Sequence, residues 1–327
     1  GRIAVIHNGI IENFSELRNK LLSQGHKLRS ETDTEVVAHL LEEETKGLGS
    51  DPAGFADALR RVFMQLEGMN AVMALDSSSG VMVAAKNGSP LVLGYGEDGY
   101  YISSDASALL PHTRKVAFIA DGQMLLITRE GVSARDIQTG EPASLEVSQL
   151  EWSLEQAELG EYPHYLIKEI HEQPSILRSI AMTQGENAST LAEMMRASYG
   201  TFFIGCGTAA NAALTGQYLF SRIARFHVNF AVGSEFGYLE HFLTPQSLVI
   251  ALSQSGETID VIEPLIKAKK EKGVRVAALV NVLGSTLYRM ADFSVLLGAG
   301  PEKCVLATKS YTAKLAVLLM TAYALDG

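Results

Sequence analysis

The hexapeptide Ser253-Gln254-Ser255-Gly256-Glu257-Thr258 concentrates three hydroxyls, a side-chain amide and a glycine. Such residues suit phosphate binding, because small side chains let the backbone close around the anion and hydroxyls add donors of their own. The apolar run Leu248 to Leu252 ahead of it predicts a buried parallel strand, and the apolar spacing of Ile259 to Lys270 behind it predicts a helix. The hexapeptide would then occupy a strand-to-helix turn, where unpaired N–H groups and the helix dipole attract an anion. A plainer reading makes Ser255 or Thr258 a helix cap. Capping needs only one such residue, so the density of donors favours a phosphate cradle.

Three other places carry residue types with chemical potential. Gly205-Cys206-Gly207-Thr208 is a second glycine-rich strand-to-helix turn, and alone it reads as a tight turn with a capping Thr. Cys206 has no His beside it in the local sequence, which makes it a packed or cavity-lining thiol rather than a nucleophile. His7-Asn8-Gly9 follows the first strand-like run, and Asn-Gly is most simply a tight turn. Asp33 precedes the helical pattern Thr34 to Glu44, where its residue type alone makes it an N-cap.

The elements that must position these residues fall into two rhythms. In the first half, helices are predicted over Asn13–Ser23 (Asn13 as cap, Glu16 three residues on, Gly25 as stop), Thr34–Glu44 and Phe55–Leu66. Strand-like runs follow at Ala71–Leu75, Val81–Ala85, Leu91–Tyr95, Tyr100–Ser103, Val116–Ile119 and Met124–Thr128, closely spaced by tight turns. That spacing implies antiparallel sheet within an α+β layered domain. After an acidic stretch ending at Pro163, helices over Tyr165–Ile180 and Thr190–Ala197 lead into apolar strands at Thr201–Gly205, His227–Val232, Leu248–Leu252, Val274–Val280 and Phe293–Leu297. Helical stretches separate those strands, the doubly wound α/β pattern of a parallel sheet. No repeat or low-complexity tract interrupts either half.

Bulk properties narrow the classes. A chain of 327 residues with 47% hydrophobic and 20% charged residues is not disordered and is long enough for two domains. A net charge of −10 argues against nucleic acid or anionic membranes as main partners. Cys206 and Cys304, the chain's two cysteines, form no disulfide framework and no CxxC or Cys/His metal pattern, which suits a reducing, cytoplasmic setting. No metal or other cofactor is expected. No run of about 18 uncharged apolar residues occurs, and Leu315 to Leu325 reads as a buried helix. The chain opens at Gly1 without Met, directly into a strand-like run, and stops just after an apolar helix, so an internal portion of a longer protein is expected.

Two strings together resemble a known family. HNGIIENF, followed by SETDTEVVAHL, is similar to the glutaminase domain of the glutamine–fructose-6-phosphate aminotransferases, and SQSGET to the phosphate loop of the same family's sugar isomerase (SIS) domain. The resemblance implies a partial N-terminal-nucleophile amidotransferase domain over residues 1–150, a linker over 151–164 and a first SIS subdomain over 165–327. It implies an oxyanion hole from the Asn8 side-chain amide and the Gly9 N–H, and Asp33 as partner of the α-ammonium of glutamine. Thr208, Ser253, Gln254, Ser255 and Thr258 would hold the sugar phosphate, with Val305 and Ala307 lining the sugar pocket. Lys309 is either a pocket charge or a surface lysine at a helix start, and Glu235 a cap or subunit contact. Ala209 and Ala307 stand where the family often has serine, each removing a hydroxyl.

The implied activity is formation of glucosamine 6-phosphate and glutamate from fructose 6-phosphate and glutamine, a step of amino-sugar biosynthesis, by a homodimer paired through SIS domains. The family's nucleophilic N-terminal Cys and its Schiff-base lysine fall outside the chain, so the chain alone is expected to be inactive. Rival readings are a SIS-type deaminase, a purine-route amidotransferase and a phosphosugar-sensing regulator. HNGIIEN speaks against the first, SQSGET against the second, and the acidic, strand-rich first half against the third.

Overall fold

The computed structural model describes residues 1–49, 51–150, 152 and 154–327. It divides into two compact units, Gly1–Glu151 and Trp152–Gly327.

The first unit contains helices α1 (Phe14–Ser23), α2 (Thr34–Glu44) and α3 (Pro52–Phe63). Its long strands are β1 (Ile3–Gly9), β2 (Asn70–Asp76) and β3 (Val81–Asn87). They are followed by β4 (Val92–Tyr95), β5 (Tyr100–Ser103), β6 (Lys115–Phe118), β7 (Gln123–Ile127), β8 (Val132–Asp136), β9 (Pro142–Ala143) and β10 (Val147–Gln149). A six-stranded sheet runs β1-β2-β3-β7-β8-β9 and a four-stranded one β10-β6-β4-β5. All pairings in both are antiparallel.

Alternation along β2 and β3 explains the layering. Val72, Ala74, Val83 and Ala85 pack with Leu21, Leu40, Phe55 and Leu59 of the helices, whereas Ala71 and Ala84 pack with Leu93 and Ala117 of the other sheet. The larger sheet is thus covered on both faces, and its central strands read as nearly continuous apolar runs. One sequence expectation fails locally. Asn13 makes no side-chain cap of α1; its amide donates to Gln65 O at 2.8 Å and its Oδ1 accepts from Glu67 N at 3.1 Å. A loop distant in sequence outcompetes the helix end for the side chain.

The second unit begins with α4 (Leu154–Ala157), α5 (Tyr165–Thr183) and α6 (Gly185–Arg196). It continues as β11 (Thr201–Gly205), α7 (Thr208–Ile223), β12 (Asn229–Val232), β13 (Leu248–Leu252), α8 (Ile259–Lys272), β14 (Arg275–Val280), α9 (Thr286–Met290), β15 (Phe293–Leu296) and α10 (Lys309–Asp326). The five strands form one parallel sheet ordered β12-β11-β13-β14-β15. Phe203, Ile250, Leu252 and Leu279 face a core shared with α6, α7 and α10, while Ile204, Val249, Ala251 and Val276 face α8 and α9. Burial of each large apolar side chain contributes about 1.5–3 kcal/mol, so β11 and β13, buried at every position, anchor the unit. Among the described residues no helix is long and apolar enough to cross a membrane.

Candidate functional site

In the first unit, β1 delivers His7-Asn8-Gly9 to the end of the strand pair, with Asn8 opposite Ala71 and Gly9 opposite Asn70. Gly9 has φ +137°, and a Cβ there would lie 2.2 Å from the Met69 carbonyl oxygen, so no other residue fits. His7 Nε2 lies 2.8 Å from Asn70 Oδ1, an acceptor because Asn70 Nδ2 donates to Glu67 O and Gly68 O at 3.1 Å each. That assigns the proton to Nε2 and leaves His7 Nδ1 to accept from Thr34 Oγ1 at 3.2 Å.

Asp33 stands at the start of α2 yet makes no side-chain cap. Its Oδ2 accepts from Ile11 N at 2.9 Å, and Oδ1 lies 3.7 Å from His7 Nδ1. The carboxylate is thus aimed back at the turn after β1, which overturns the plain capping role. Asn8 and Gly9 are exposed. His7, Thr34 and Asn70 were not singled out from sequence, although His7 lies inside the HNG string that was.

In the second unit, the chain visits the strands in the spatial order 2-1-3-4-5, and the order reverses between β11 and β13. Doubly wound sheets bind ligands in the crevice at such a switch point, beyond the strands' carboxyl ends. Gly205 pairs with Leu252 there, so the turn carrying Cys206, Gly207 and Thr208 and the turn Ser253–Thr258 leave neighbouring strand ends side by side.

The Ser253–Thr258 turn is built from its own side chains. Ser253, 2% exposed, accepts from Gly256 N at 2.9 Å and shares a 2.8 Å contact with Thr258 Oγ1. Ser255 Oγ accepts from Glu257 N at 3.1 Å. Thr258 occupies the N-cap position of α8 without making a side-chain cap. Among the described residues, the main-chain N–H groups of Gln254, Ser255 and Thr258 donate to no partner, and all three sit at the positive end of α8. Ser253→Ala removes the acceptor of a buried N–H, and about 1–3 kcal/mol of stability should go with it in chemical denaturation.

Two further loops close on the same sheet edge. Asn281 N donates to Gln254 O at 3.1 Å, and the Asn281 side chain bonds Ala299 N at 2.9 Å and Gly300 O at 2.7 Å. From Gly300 the chain runs through a strap to α10. Glu169 Oε1 accepts from Lys303 N at 2.7 Å and Cys304 N at 3.0 Å, while Glu302 accepts from Thr308 N, Ser310 N and the Ser310 hydroxyl. Ala307 is half-buried in this strap, but Val305 is 99% exposed, so its side chain lines no pocket in this structure.

Lys309 is neither a pocket charge nor a surface lysine. It is 1% exposed, with Nζ 2.6 Å from Glu172 Oε2. Glu235 is exposed in the 3-10 segment Gly233–Phe242, its carboxylate accepting from Ser234 Oγ at 3.2 Å. Ala209 is buried in the core beside α10. Cys206 packs against the opposite core cluster, as a structural thiol does.

Comparison with known proteins places both units. Residues 1–111 match the family model described as a glutamine amidotransferase domain, and residues 194–324 match the SIS domain. The class is therefore an amidotransferase domain joined to a sugar isomerase domain. Along 98% of its length the chain is 43% identical to glutamine–fructose-6-phosphate aminotransferase [isomerizing] of Thermus thermophilus and 42% identical to that of Thermococcus kodakarensis, covering 53% of each. It is a homologue of these aminotransferases, and it spans about half the length of the curated relatives it matches. The C-terminal domain of glucosamine-fructose-6-phosphate aminotransferase from Francisella tularensis is a similar solved structure, 28% identical with a TM-score of 0.46 over 51% of this chain and 48% of that one.

Proposed function

We propose that the chain is the glutamine-side and first sugar-side portion of an isomerizing aminotransferase. The complete protein makes glucosamine 6-phosphate and glutamate from fructose 6-phosphate and glutamine. Residues 1–150 form the glutaminase part, 151–164 the linker and 165–327 the first SIS subdomain. The observation that carries this reading is the trio of open N–H donors at Gln254, Ser255 and Thr258, set at the switch point of the parallel sheet. A phosphate monoester there would meet main-chain donors, the hydroxyls of Ser253, Ser255, Thr258 and Thr208, and the dipole of α8.

On the glutamine side, the Asn8 amide and the Gly9 N–H would receive the oxyanion formed when a thiolate attacks the glutamine amide, and Asp33 would pair with the α-ammonium. His7, fixed between Asn70 and Thr34, holds that end of the strand in place. The cysteines of this chain, Cys206 and Cys304, both lie in the second unit. Released ammonia would pass to the sugar. Pairing of two copies through the SIS domains and a cytoplasmic setting belong to the same proposal.

The test is calorimetric titration of the full chain with fructose 6-phosphate. Binding should compete with inorganic phosphate, fail for unphosphorylated fructose, and weaken about tenfold or more in the double variant Ser255→Ala/Thr258→Val, since bonds to charged groups contribute roughly 1.5–3 kcal/mol each. Equal affinity for fructose and its phosphate, or an unaffected double variant, would refute the reading.

A further inference from the structure

Among residues assigned to neither candidate site, the segment after α1 and the middle of α2 bring two imidazoles and a carboxylate to one point. His26 Nδ1 and His39 Nδ1 are 2.9 Å apart, and Glu42 Oε2 lies 3.6 Å from His39 Nδ1 and 4.0 Å from His26 Nδ1. The three ligand atoms fall within 4.8 Å of one another.

The far ring nitrogens determine what the near ones can be. His26 Nε2 is 2.5 Å from Glu43 Oε1, and His39 Nε2 is 3.6 Å from Glu35 Oε1. A carboxylate accepts, so the 2.5 Å contact places the His26 proton on Nε2 and leaves its Nδ1 bare, whereas His39 Nε2 at 3.6 Å makes no hydrogen bond and does not fix its tautomer. The bare His26 Nδ1 faces His39 Nδ1 across 2.9 Å, a spacing that either an Nδ1–H of His39 or a cation held between two lone pairs would bridge. A shared proton would satisfy the two nitrogens alone. The third, anionic donor at the same point, with Glu35 and Glu43 behind the rings, describes a site for a dication.

The geometry points to a divalent metal site of the zinc type, ligated by His26 Nδ1, His39 Nδ1 and Glu42, with a fourth position open to water. Two nitrogens and one carboxylate suit that borderline ion. With metal–nitrogen distances of about 2.0–2.1 Å, tetrahedral ligation needs the two nitrogens roughly 3.3 Å apart, so the rings part by about 0.4 Å. Glu42, 65% exposed at its side chain, is free to swing inward. The Glu43 carboxylate on the far nitrogen of His26 orients that ring and raises its basicity, the arrangement found around protein-bound zinc. The ion would clip the segment at His26 to the helix whose first residues follow Asp33, and so fix the entry to the glutamine-side turn.

The test uses the full chain stripped with a chelator, then titrated with zinc against a chromophoric competitor, with cobalt absorption reporting geometry. One zinc per chain and a tetrahedral cobalt spectrum are expected. His39→Gln should abolish binding, Glu42→Gln should weaken it at least tenfold, and Glu43→Gln, which touches no metal, should weaken it about 10- to 100-fold. Cys206→Ser/Cys304→Ser should leave it unchanged. Absence of stoichiometric binding at micromolar zinc would overturn the assignment. So would binding that survives both His39→Gln and Glu42→Gln, or that depends on the cysteines. Because Glu42 is exposed, its variant folds and keeps the test decisive should His39→Gln not.

Discussion

Gly256→Ala is expected to destabilise the second unit by about 2–5 kcal/mol and to abolish the proposed binding of hexose phosphate. Gly256 sits at φ +69°, where an L-residue costs roughly 1–2 kcal/mol. A Cβ there would come within 2.0 Å of Ser285 Oγ and 2.6 Å of Ser285 Cβ, a contact no rotamer change of the alanine can relieve. Overpacking of that kind adds about 1–3 kcal/mol. Ser285 is itself buried and begins the turn into α9, while Gly256 O accepts from Leu287 N at 2.9 Å, so neither segment can retreat without breaking the other. Urea unfolding of the single variant and of Gly256→Ala/Ser285→Gly separates the two costs. The double variant should recover the overlap part and retain the backbone part. A single variant within 0.5 kcal/mol of the parent would show that the turn is looser than described.

Lys314→Met should stabilise the protein at neutral pH by about 3 kcal/mol and flatten its stability profile in alkaline solution. Lys314 is fully buried in α10, where its Nζ donates to Ser310 O at 3.3 Å. Burial lowers its pKa from 10.5 to about 8, with attraction to Glu302 opposing the shift. The sign follows from proton counting. Between about pH 8 and 10.5 the unfolded chain holds a proton on this lysine that the folded chain has released, so stability rises with pH across that window. Below it the folded state carries the full cost of a buried ammonium. Methionine fills the space without the charge. The measurement is unfolding free energy of parent and variant at pH 7 and pH 10. The advantage of the variant must shrink at the higher pH, and a constant difference would contradict the assignment.

The legible parts of the sequence were those where one segment states its own case. An apolar strand followed by crowded hydroxyls and a glycine located the Ser253–Thr258 turn, and apolar runs spaced by tight turns located β2, β3 and β7. β8, with the sequence VSARD, escaped because it carries charge and is only partly buried, and β9 and β10 are too short to show a period. Lys309 was misjudged because its partner Glu172 is 137 residues away, and an ion pair between distant elements leaves no local signature. Asn13 failed as a cap for the same reason. His26 and His39 match no ligand spacing, and only the packing of α2 against the segment after α1 brings them together.

The cradle at the carboxyl end of the sheet is cross-tied by its own side chains and main chain. Ser253 bonds Gly256 and Thr258, Ser253 N donates to Leu279 O, and Asn281 holds Gln254. An incoming anion has little loop to immobilise, so hardly any of its binding energy is spent on freezing polypeptide motion. Capture of the proposed sugar phosphate should then be governed by diffusion and desolvation rather than by slow rearrangement, with a single kinetic phase at every ligand concentration.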